Sequence, residues 1–306
     1  MSIDRRSFVG GSLASGIALT LPGCVPIDQS HIGRVAAALR IIEANSGGTL
    51  GAEFYDTGSG FSTGLNRQVR FGHASSFKLS LAAWVLTRDA RFIDDGGRTV
   101  RWSESELLSN SPFTRERLQT GATLIELARA VQVQSDNTAA NVLLRETGGP
   151  ETLNAYWRSI GDTISRLDRL EPELNNVPPA EDRDTTTPAA MARTIAKLVT
   201  GFGVPESRQA TLKEWMVETA TGLRRVRAGL PESWRAGDKT GTSTWPGMGG
   251  GLFVDIGFVE PVGGSLISFA VYYRTPEQTQ GVDPQAEAVL AQVGRVLAQF
   301  ARVQIG

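Results

Sequence analysis

A long helical block set between two groups of strands is the feature that most limits how this chain can fold. From Ser75 to about Glu218 apolar residues recur at helical spacing, and shorter strand-like runs precede and follow this block. Helices are predicted over residues 30–46, 76–88, 104–109, 122–133, 138–147, 151–160, 188–200, 207–219 and 284–303. Strands are predicted over residues 49–55, 61–65, 236–243, 251–259 and 265–274.

This order of elements predicts an α+β fold built on one antiparallel sheet. The N- and C-terminal helices would flank the sheet and cover one of its faces, and an all-helical subdomain would be inserted between the early and the late strands. We expect residues 25–306 to form a single domain, with an α/β part over about 30–74 and 219–306 and a helical part over about 75–218. An active site is expected at the junction of the two parts.

The composition excludes several classes of function. The net charge is −1 and the sequence contains no basic run, so nucleic acid is not an expected partner. Two histidines and one cysteine leave too few ligands for a zinc site, and neither a metal nor another cofactor is expected. Any hydrolytic chemistry must therefore use hydroxyls, lysines and carboxylates.

Residues 1–24 have the pattern of an export signal peptide. The pair Arg5-Arg6 precedes a short apolar run, which resembles a twin-arginine signal. The segment Leu21-Pro22-Gly23-Cys24 resembles a bacterial lipoprotein cleavage box, which makes Cys24 a candidate for lipidation. We expect the chain to engage the export machinery and to reach the bacterial periplasm, either free or anchored through Cys24.

Ser75 and Lys78 form the first motif that can carry chemistry. They are three residues apart at the start of a predicted helix, so their side chains would share one face with Cβ atoms about 5–6 Å apart. A serine hydroxyl needs a base within hydrogen-bond reach to become a nucleophile, and a lysine that loses its proton can serve. Taken alone, the pair is more often a polar helix start, with Ser75 or Ser76 as the N-cap.

Three further motifs follow along the chain. Ser135-Asp136-Asn137 lies between two predicted helices and by itself reads as a helix N-cap. Glu171 and Asn175 lie in a loop interrupted by Pro172, and by themselves they read as a solvated acidic turn. Lys239-Thr240-Gly241 lies on a predicted strand, and by itself it is barely informative.

The motifs S-x-x-K, S-D-N and K-T-G in this order are the signature of penicillin-binding proteins and class A β-lactamases. From about residue 30 onward the chain resembles a class A serine β-lactamase, and the loop pair Glu171 and Asn175 resembles these hydrolases rather than the penicillin-binding proteins. The resemblance implies the fold described above. It also implies hydrolysis of the β-lactam amide of penicillins and cephalosporins through an acyl-serine intermediate, which confers resistance.

The resemblance implies a catalytic role for four side chains. Ser75 would attack the ring carbonyl, and the backbone N–H groups of Ser75 and Thr242 would form the oxyanion hole. Ser135 would pass a proton to the departing ring nitrogen, and Glu171 would activate the water that releases the acyl group. Whether Lys78 or Glu171 accepts the proton during acylation stays open.

The resemblance also implies a set of substrate-binding residues. These are Asn137, Asn175, Lys239, Thr240, Gly241, Thr242 and Arg225. Arg225 is included because residues 243–251 contain no arginine, and its position matches one from which other family members supply the arginine that assists carboxylate binding. Asn110 occupies a position where the family often has an aromatic residue at the edge of the cleft.

Two other functions remain alternatives at this stage. A penicillin-binding D,D-peptidase shares three of the motifs, but it would leave Glu171 and Asn175 without a task. A β-lactam sensor would be acylated without turnover, and such a module normally needs an attached membrane-spanning segment beyond the signal. The small-molecule β-lactam is the only expected partner in catalysis, and a monomer is expected.

Overall fold

The computed structural model describes residues 29–305, and the predicted signal peptide and the lipidation candidate Cys24 lie outside this range. Within it, the α-helices are α1 (Gln29–Ser46), α2 (Phe77–Ala90), α3 (Pro112–Glu116), α4 (Leu124–Val133), α5 (Asn137–Thr147), α6 (Pro150–Ser159), α7 (Pro188–Thr200), α8 (Glu206–Glu218) and α9 (Pro284–Ile305). The strands in this range are β1 (Thr49–Asp56), β2 (Ser62–Leu65), β3 (Phe71–Gly72), β4 (Thr99–Val100), β5 (Ala122–Thr123), β6 (Thr185–Thr186), β7 (Arg235–Ser243), β8 (Leu252–Glu260) and β9 (Ile267–Arg274).

Five of these strands form one antiparallel sheet in the order β2-β1-β9-β8-β7. The first strand of the chain pairs with the last, from Thr49 opposite Arg274 to Asp56 opposite Ile267. Strand β7 lies at one edge of the sheet, and the chain reaches it only after the helices α2 to α8. The predicted α+β fold, with a helical part inserted into an antiparallel sheet, is confirmed.

The two faces of the sheet belong to two separate hydrophobic cores. On one face Leu39 of α1 and Leu290 of α9 pack with Phe253 of β8, all fully buried. On the other face Ile256 of β8 packs with Phe77 of α2, again without exposed surface. Because successive strand residues point to opposite faces, an almost unbroken apolar run in β8 serves both cores. The two layers hold β7 between the terminal helices and the helical part.

The predicted helix over residues 104–109 is wrong. The structure has a 3-10 turn over Glu104–Glu106, closed by a capping box in which the Ser103 amide donates to the Glu106 carboxylate at 2.7 Å. The turn ends because Leu107 has an extended backbone, with φ −71° and ψ 119°. The helix α3 lies a few residues later, where Pro112 at its first position fits the fixed φ of a helix start.

None of the helices within residues 29–305 is both long enough and apolar enough to span a bilayer.

Candidate active site

The nucleophile candidate Ser75 lies in a 3-10 turn, Ala74–Ser76, that leads directly into α2. The ammonium nitrogen of Lys78, in the first turn of α2, is 3.1 Å from the Ser75 hydroxyl oxygen. Ser76 precedes the helix as predicted, but its side chain makes no capping hydrogen bond. The reason is that Ser76 already has helical angles, φ −67° and ψ −28°, whereas a capping serine is extended. The S-x-x-K spacing thus brings the two groups into contact, as predicted.

Lys78 is completely buried and connects three parts of the site. Besides the Ser75 hydroxyl, its amine donates to the Ser135 carbonyl at 3.0 Å and to the side-chain oxygen of Asn137. Its fourth partner is the Glu171 carboxylate, with 3.0 Å between Nζ and Oε1. One lysine therefore links the hydroxyl of the first motif to the S-D-N motif and to the loop acid.

The S-D-N motif forms the connection between α4 and α5. Ser135 has a left-handed backbone with φ 59°, an uncommon conformation for a residue other than glycine. Asp136 is fully buried as the N-cap of α5, where it accepts from the Ala139 amide at 2.8 Å and from the Thr114 amide at 2.9 Å. The middle residue of the motif thus fixes the turn, as predicted for an N-cap, and its neighbours face the site.

Asn110 also supports this turn. Its carboxamide donates to the Ser135 carbonyl at 3.0 Å, and its own carbonyl accepts from the Asn137 amide at 2.8 Å. In place of an aromatic surface at this edge of the cleft, the chain has a polar side chain that holds the S-D-N backbone.

The K-T-G motif lies on β7, the edge strand nearest the helical part. The buried Lys239 amine is 3.1 Å from the Ser135 hydroxyl oxygen. Burial, followed by the charge of the nearby Lys78, lowers the pKa of Lys239 to about 7. A Cβ on Gly241 would lie 3.1 Å from the Ser75 amide nitrogen, so a glycine lets the strand pack directly against the nucleophile turn.

Arg225 lies behind β7 and is almost completely buried. Its guanidinium donates to the Thr242 hydroxyl and to the Val254 carbonyl, each at 2.7 Å, and to the Gly241 carbonyl at 2.8 Å. The carboxylate of Glu287, in the first turn of α9, lies 3.4 Å away. Arg225 therefore lies at the cleft, where its guanidinium contacts the Thr242 hydroxyl. Thr240 takes part in a separate contact, since its hydroxyl lies 2.7 Å from that of Thr221.

Glu171 lies in the loop between α6 and β6, and its carboxylate is almost completely buried. The Asn175 carboxamide donates to the second carboxylate oxygen at 2.6 Å, so each oxygen of Glu171 has a different neighbour. The Glu171–Pro172 peptide bond is cis. The predicted pair of an acid and an amide is therefore in direct contact and faces Lys78.

The sequence reasoning missed two residues that position this loop. Asn141 of α5 binds both backbone groups of Glu171, donating to its carbonyl at 2.8 Å and accepting from its amide at 3.0 Å. The Ser243 hydroxyl at the end of β7 donates to the Asn175 carbonyl at 2.8 Å. The spacing of Asn141 was a readable signal, because it lies four residues after Asn137 on the same helix face. The Ser243 contact joins distant segments and has no local signal.

A cavity of about 630 Å³ opens over these groups and has the size of a small-molecule site. Ser75, Ser135, Thr240, Gly241 and Thr242 all line it. Among the residues that the structure describes, no group of three or more histidine, cysteine, aspartate or glutamate side chains is placed to hold a metal ion. The chemistry available at the cleft is that of serine and threonine hydroxyls, two buried lysines and the buried Glu171 carboxylate.

A serine in contact with a buried lysine, and a carboxylate paired with an amide beside them, define a hydrolase that works through an acyl-serine. Residues 34–301 match the model of the beta-lactamase enzyme family. Together with the relatives and structures described next, this match identifies the chain as a member of the class A serine β-lactamases. It is an enzyme that hydrolyses β-lactams, a function that confers resistance.

Individual relatives are similar in sequence to this chain over most of their length. The chain is 40% identical to beta-lactamase AST-1 of Nocardia asteroides, over 96% of this chain and 95% of that protein. It is 39% identical to the carbapenem-hydrolyzing beta-lactamase KPC of Klebsiella oxytoca, over 86% of this chain and 87% of that protein.

Solved structures are also similar to this chain. The class A beta-lactamase of the last common ancestor of Gram-negative bacteria superposes with a TM-score of 0.81 at 40% identity, over 87% of this chain and 98% of that one. A beta-lactamase from Desulfarculus baarsii gives a TM-score of 0.82 at 35% identity, over 88% of this chain and 97% of that one. Nothing in these matches favours the peptidase or the sensor alternative.

Proposed function

We propose that this enzyme opens the β-lactam ring with the Ser75 hydroxyl and releases the product with a water activated by Glu171. The observation that carries this proposal is the unbroken chain of contacts from Ser75 through Lys78 to Glu171 and Asn175. A nucleophile and a base for the second step are both present within one buried network. Such an arrangement supports turnover rather than a stable acyl adduct.

In the acylation step Ser75 attacks the ring carbonyl. The backbone N–H groups of Ser75 and Thr242 stabilise the oxyanion, a contribution of about 3–4 kcal/mol for each donor. The close packing at Gly241 supports this assignment, because it brings the β7 backbone to the Ser75 amide. Two proton routes fit the geometry: the Ser75 proton passes directly to Lys78, or it passes through a water to Glu171.

Breaking the ring amide requires a proton on the departing nitrogen. Ser135 supplies it, since its hydroxyl lies 3.1 Å from the Lys239 amine and its backbone carbonyl contacts Lys78. The nearby ammonium groups stabilise the Ser135 oxygen once its proton has left, and the proton taken from Ser75 passes on through Lys78 to this oxygen, which restores the hydroxyl.

Deacylation uses the pair on the loop. Glu171 takes a proton from a water that attacks the ester and a proton returns to the Ser75 oxygen as the ester bond breaks, while the Asn175 carboxamide holds the carboxylate and the water in place. Asn141 and Ser243 act as positioning residues, because they contact the backbone of this loop and not the substrate.

The substrate carboxylate binds along β7. Lys239, Thr240 and Thr242 provide one ammonium and two hydroxyls, and Gly241 between them leaves the strand open for close approach. Arg225 adds positive charge from behind, through the Thr242 hydroxyl. The substrate's side-chain amide binds at the opposite end, at Asn137.

We also propose that residues 1–24, which lie outside the described range, direct export to the periplasm and that residues 25–306 act as one monomeric catalytic domain. Cell fractionation and intact mass of the mature protein test both the cleavage site and the lipidation of Cys24. A mature mass without lipid removes the anchor, and a cytoplasmic location removes the export assignment.

Nitrocefin turnover by the purified protein, with acyl-enzyme followed by mass spectrometry, tests the reaction itself. We expect many turnovers with little accumulated adduct, and no turnover in Ser75→Ala. Ser76→Ala is the matched control, because it removes a neighbouring hydroxyl without touching the proposed machinery. A persistent adduct in the unaltered protein would favour the peptidase or the sensor.

A further inference from the structure

The cleft that contains the proposed carboxylate site also carries two exposed aliphatic side chains, which form a rim. The same cavity of about 630 Å³ that contains Ser75 and Thr242 is also lined by Leu223 and Val282. Leu223 is 60% exposed and Val282 is 55% exposed. Large aliphatic side chains left open at the mouth of a small-molecule site are available for contact with part of the ligand.

Both side chains belong to segments whose neighbouring residues contact the sheet or its end. Leu223 follows the 3-10 turn Ala220–Gly222, and Gly222 packs so closely on Asp238 that a Cβ would lie 1.9 Å from its carboxylate. Val282 belongs to the segment 275–283, which is tied to the end of β7 by a 2.9 Å hydrogen bond from the Gln278 carboxamide to the Thr244 carbonyl. The rim therefore has fixed supports on both of its segments.

The chemistry of the substrate determines which group reaches this rim. In a cephalosporin the carboxylate is attached to the carbon next to the ring nitrogen, and the C3 substituent is attached to the following ring carbon. With the nitrogen at Ser135 and the carboxylate at Lys239 and Thr242, the C3 substituent extends past the carboxylate site and away from the acyl side chain. Leu223 lines the same cavity two residues before Arg225, which contacts Thr242 at the proposed carboxylate site, and Val282 lines this cavity as well.

We infer that Leu223 and Val282 form a specificity rim for an uncharged C3 substituent of cephalosporins. This inference rests on the proposed function, because it uses the proposed position of the substrate carboxylate. A substituent that covers the two side chains removes apolar surface from water, which favours substrates that carry it over those that lack it.

Two substrates with the same acyl side chain provide the test. Cefotaxime has an acetoxymethyl group at C3 and ceftizoxime has a hydrogen, so the ratio of their kcat/KM values measures the substituent. In Leu223→Ser and in Val282→Ser we expect this ratio to fall by about 3- to 10-fold, as burial of a few tens of Å² predicts. The matched control is Val262→Ser, which removes a valine that is 67% exposed and lies outside the cleft lining.

The possible results distinguish a failure of this inference from a failure of the proposed function. An unchanged ratio in both rim variants, or an equal loss of kcat/KM for both substrates, overturns the inference. A fall of the same size in Val262→Ser also overturns it. If the unaltered protein turns over neither cephalosporin nor nitrocefin, the proposed function fails, which is a distinct outcome.

Discussion

Replacing Glu171 by glutamine removes the proposed deacylation base while keeping the size of the side chain. In the structure each carboxylate oxygen has one neighbour, the Lys78 amine at 3.0 Å and the Asn175 carboxamide at 2.6 Å. Glutamine retains one acceptor oxygen but cannot take a proton from water. The substitution therefore acts on the chemistry of the second step more than on the shape of the loop.

The expected magnitude follows from these contacts. A positioned general base contributes about 10²- to 10⁴-fold, so the barrier for deacylation should rise by about 3–5 kcal/mol. Acylation should fall much less, because Lys78 keeps its contacts with the Ser75 hydroxyl, the Ser135 carbonyl and the Asn137 side chain. These three oxygens also limit the loss of stability, which we expect to stay below the 3–5 kcal/mol of an uncompensated buried charge.

Rapid mixing with benzylpenicillin followed by intact-protein mass spectrometry measures the result directly. The Glu171→Gln variant should accumulate one covalently bound penicillin per molecule, and nitrocefin should give a burst of about one equivalent. Glu173→Gln is the matched control, since it alters an exposed acid in the same loop. Undiminished steady-state hydrolysis by Glu171→Gln would refute the assignment of the deacylation base, and absence of any adduct would show that Glu171 also accepts the Ser75 proton during acylation.

Three further predictions concern residues around this network. Because burial lowers the pKa of Lys239 to about 7 from 10.5, kcat/KM should fall as the pH rises through about 7. The Lys239→Arg variant should shift this fall in kcat/KM to higher pH. A fall at an unchanged pH would contradict the assignment to Lys239. Asp136→Ala should lower the free energy of unfolding by about 2–4 kcal/mol in urea titrations, since buried amide donors lose their acceptor. Asn141→Ala should slow deacylation by about 10- to 100-fold through displacement of Glu171. Asn154→Ala, which breaks the same kind of paired contact with Leu167 farther from the site, should slow it less.

The pH dependence of stability has the opposite sign to that of activity. The folded pKa of Lys239 lies below the unfolded value, so the folded state binds fewer protons than the unfolded state between about pH 7 and 10.5. This residue therefore destabilises the fold at low pH, and its contribution to stability rises with pH across that interval. Activity should fall over the same interval, because a neutral Lys239 amine would bind the substrate carboxylate less well.

The elements predicted well from the sequence are those whose pattern is both long and local. Helix α2 was expected over residues 76–88 and spans Phe77–Ala90, because Phe77, Leu81 and Val85 repeat at helical spacing and are all buried. The turn at Glu104–Glu106 was missed because one helical turn with a capping box looks like the start of a longer helix. A strand of two residues such as β3, paired with β6 more than a hundred residues away, has no local pattern to read.

The contacts of the site differ in how far the sequence predicts them, depending on whether they lie within one motif, between motifs or outside any motif. Contacts within one motif, such as that between Ser75 and Lys78, follow from spacing along a helix. Contacts between motifs, such as that between Lys239 and Ser135, entered through the resemblance to a family and not through physical reasoning on the chain. The Ser243 tether to Asn175 had neither a spacing nor a motif, and only the folded structure identifies it.

The alternation of side chains along β7 explains why a short motif on an edge strand serves both the reaction and the fold. Lys239 points toward the helical part and meets the Ser135 hydroxyl, whereas Asp238 points toward the opposite layer and pairs with Arg227. Both charges are fully buried, and burial raises the pKa of Asp238 to about 6. A shift of the strand by one residue would exchange the two faces and place a carboxylate beside Ser135. The register of β7 against β8 therefore matters as much for the proposed site as the identity of Lys239 itself.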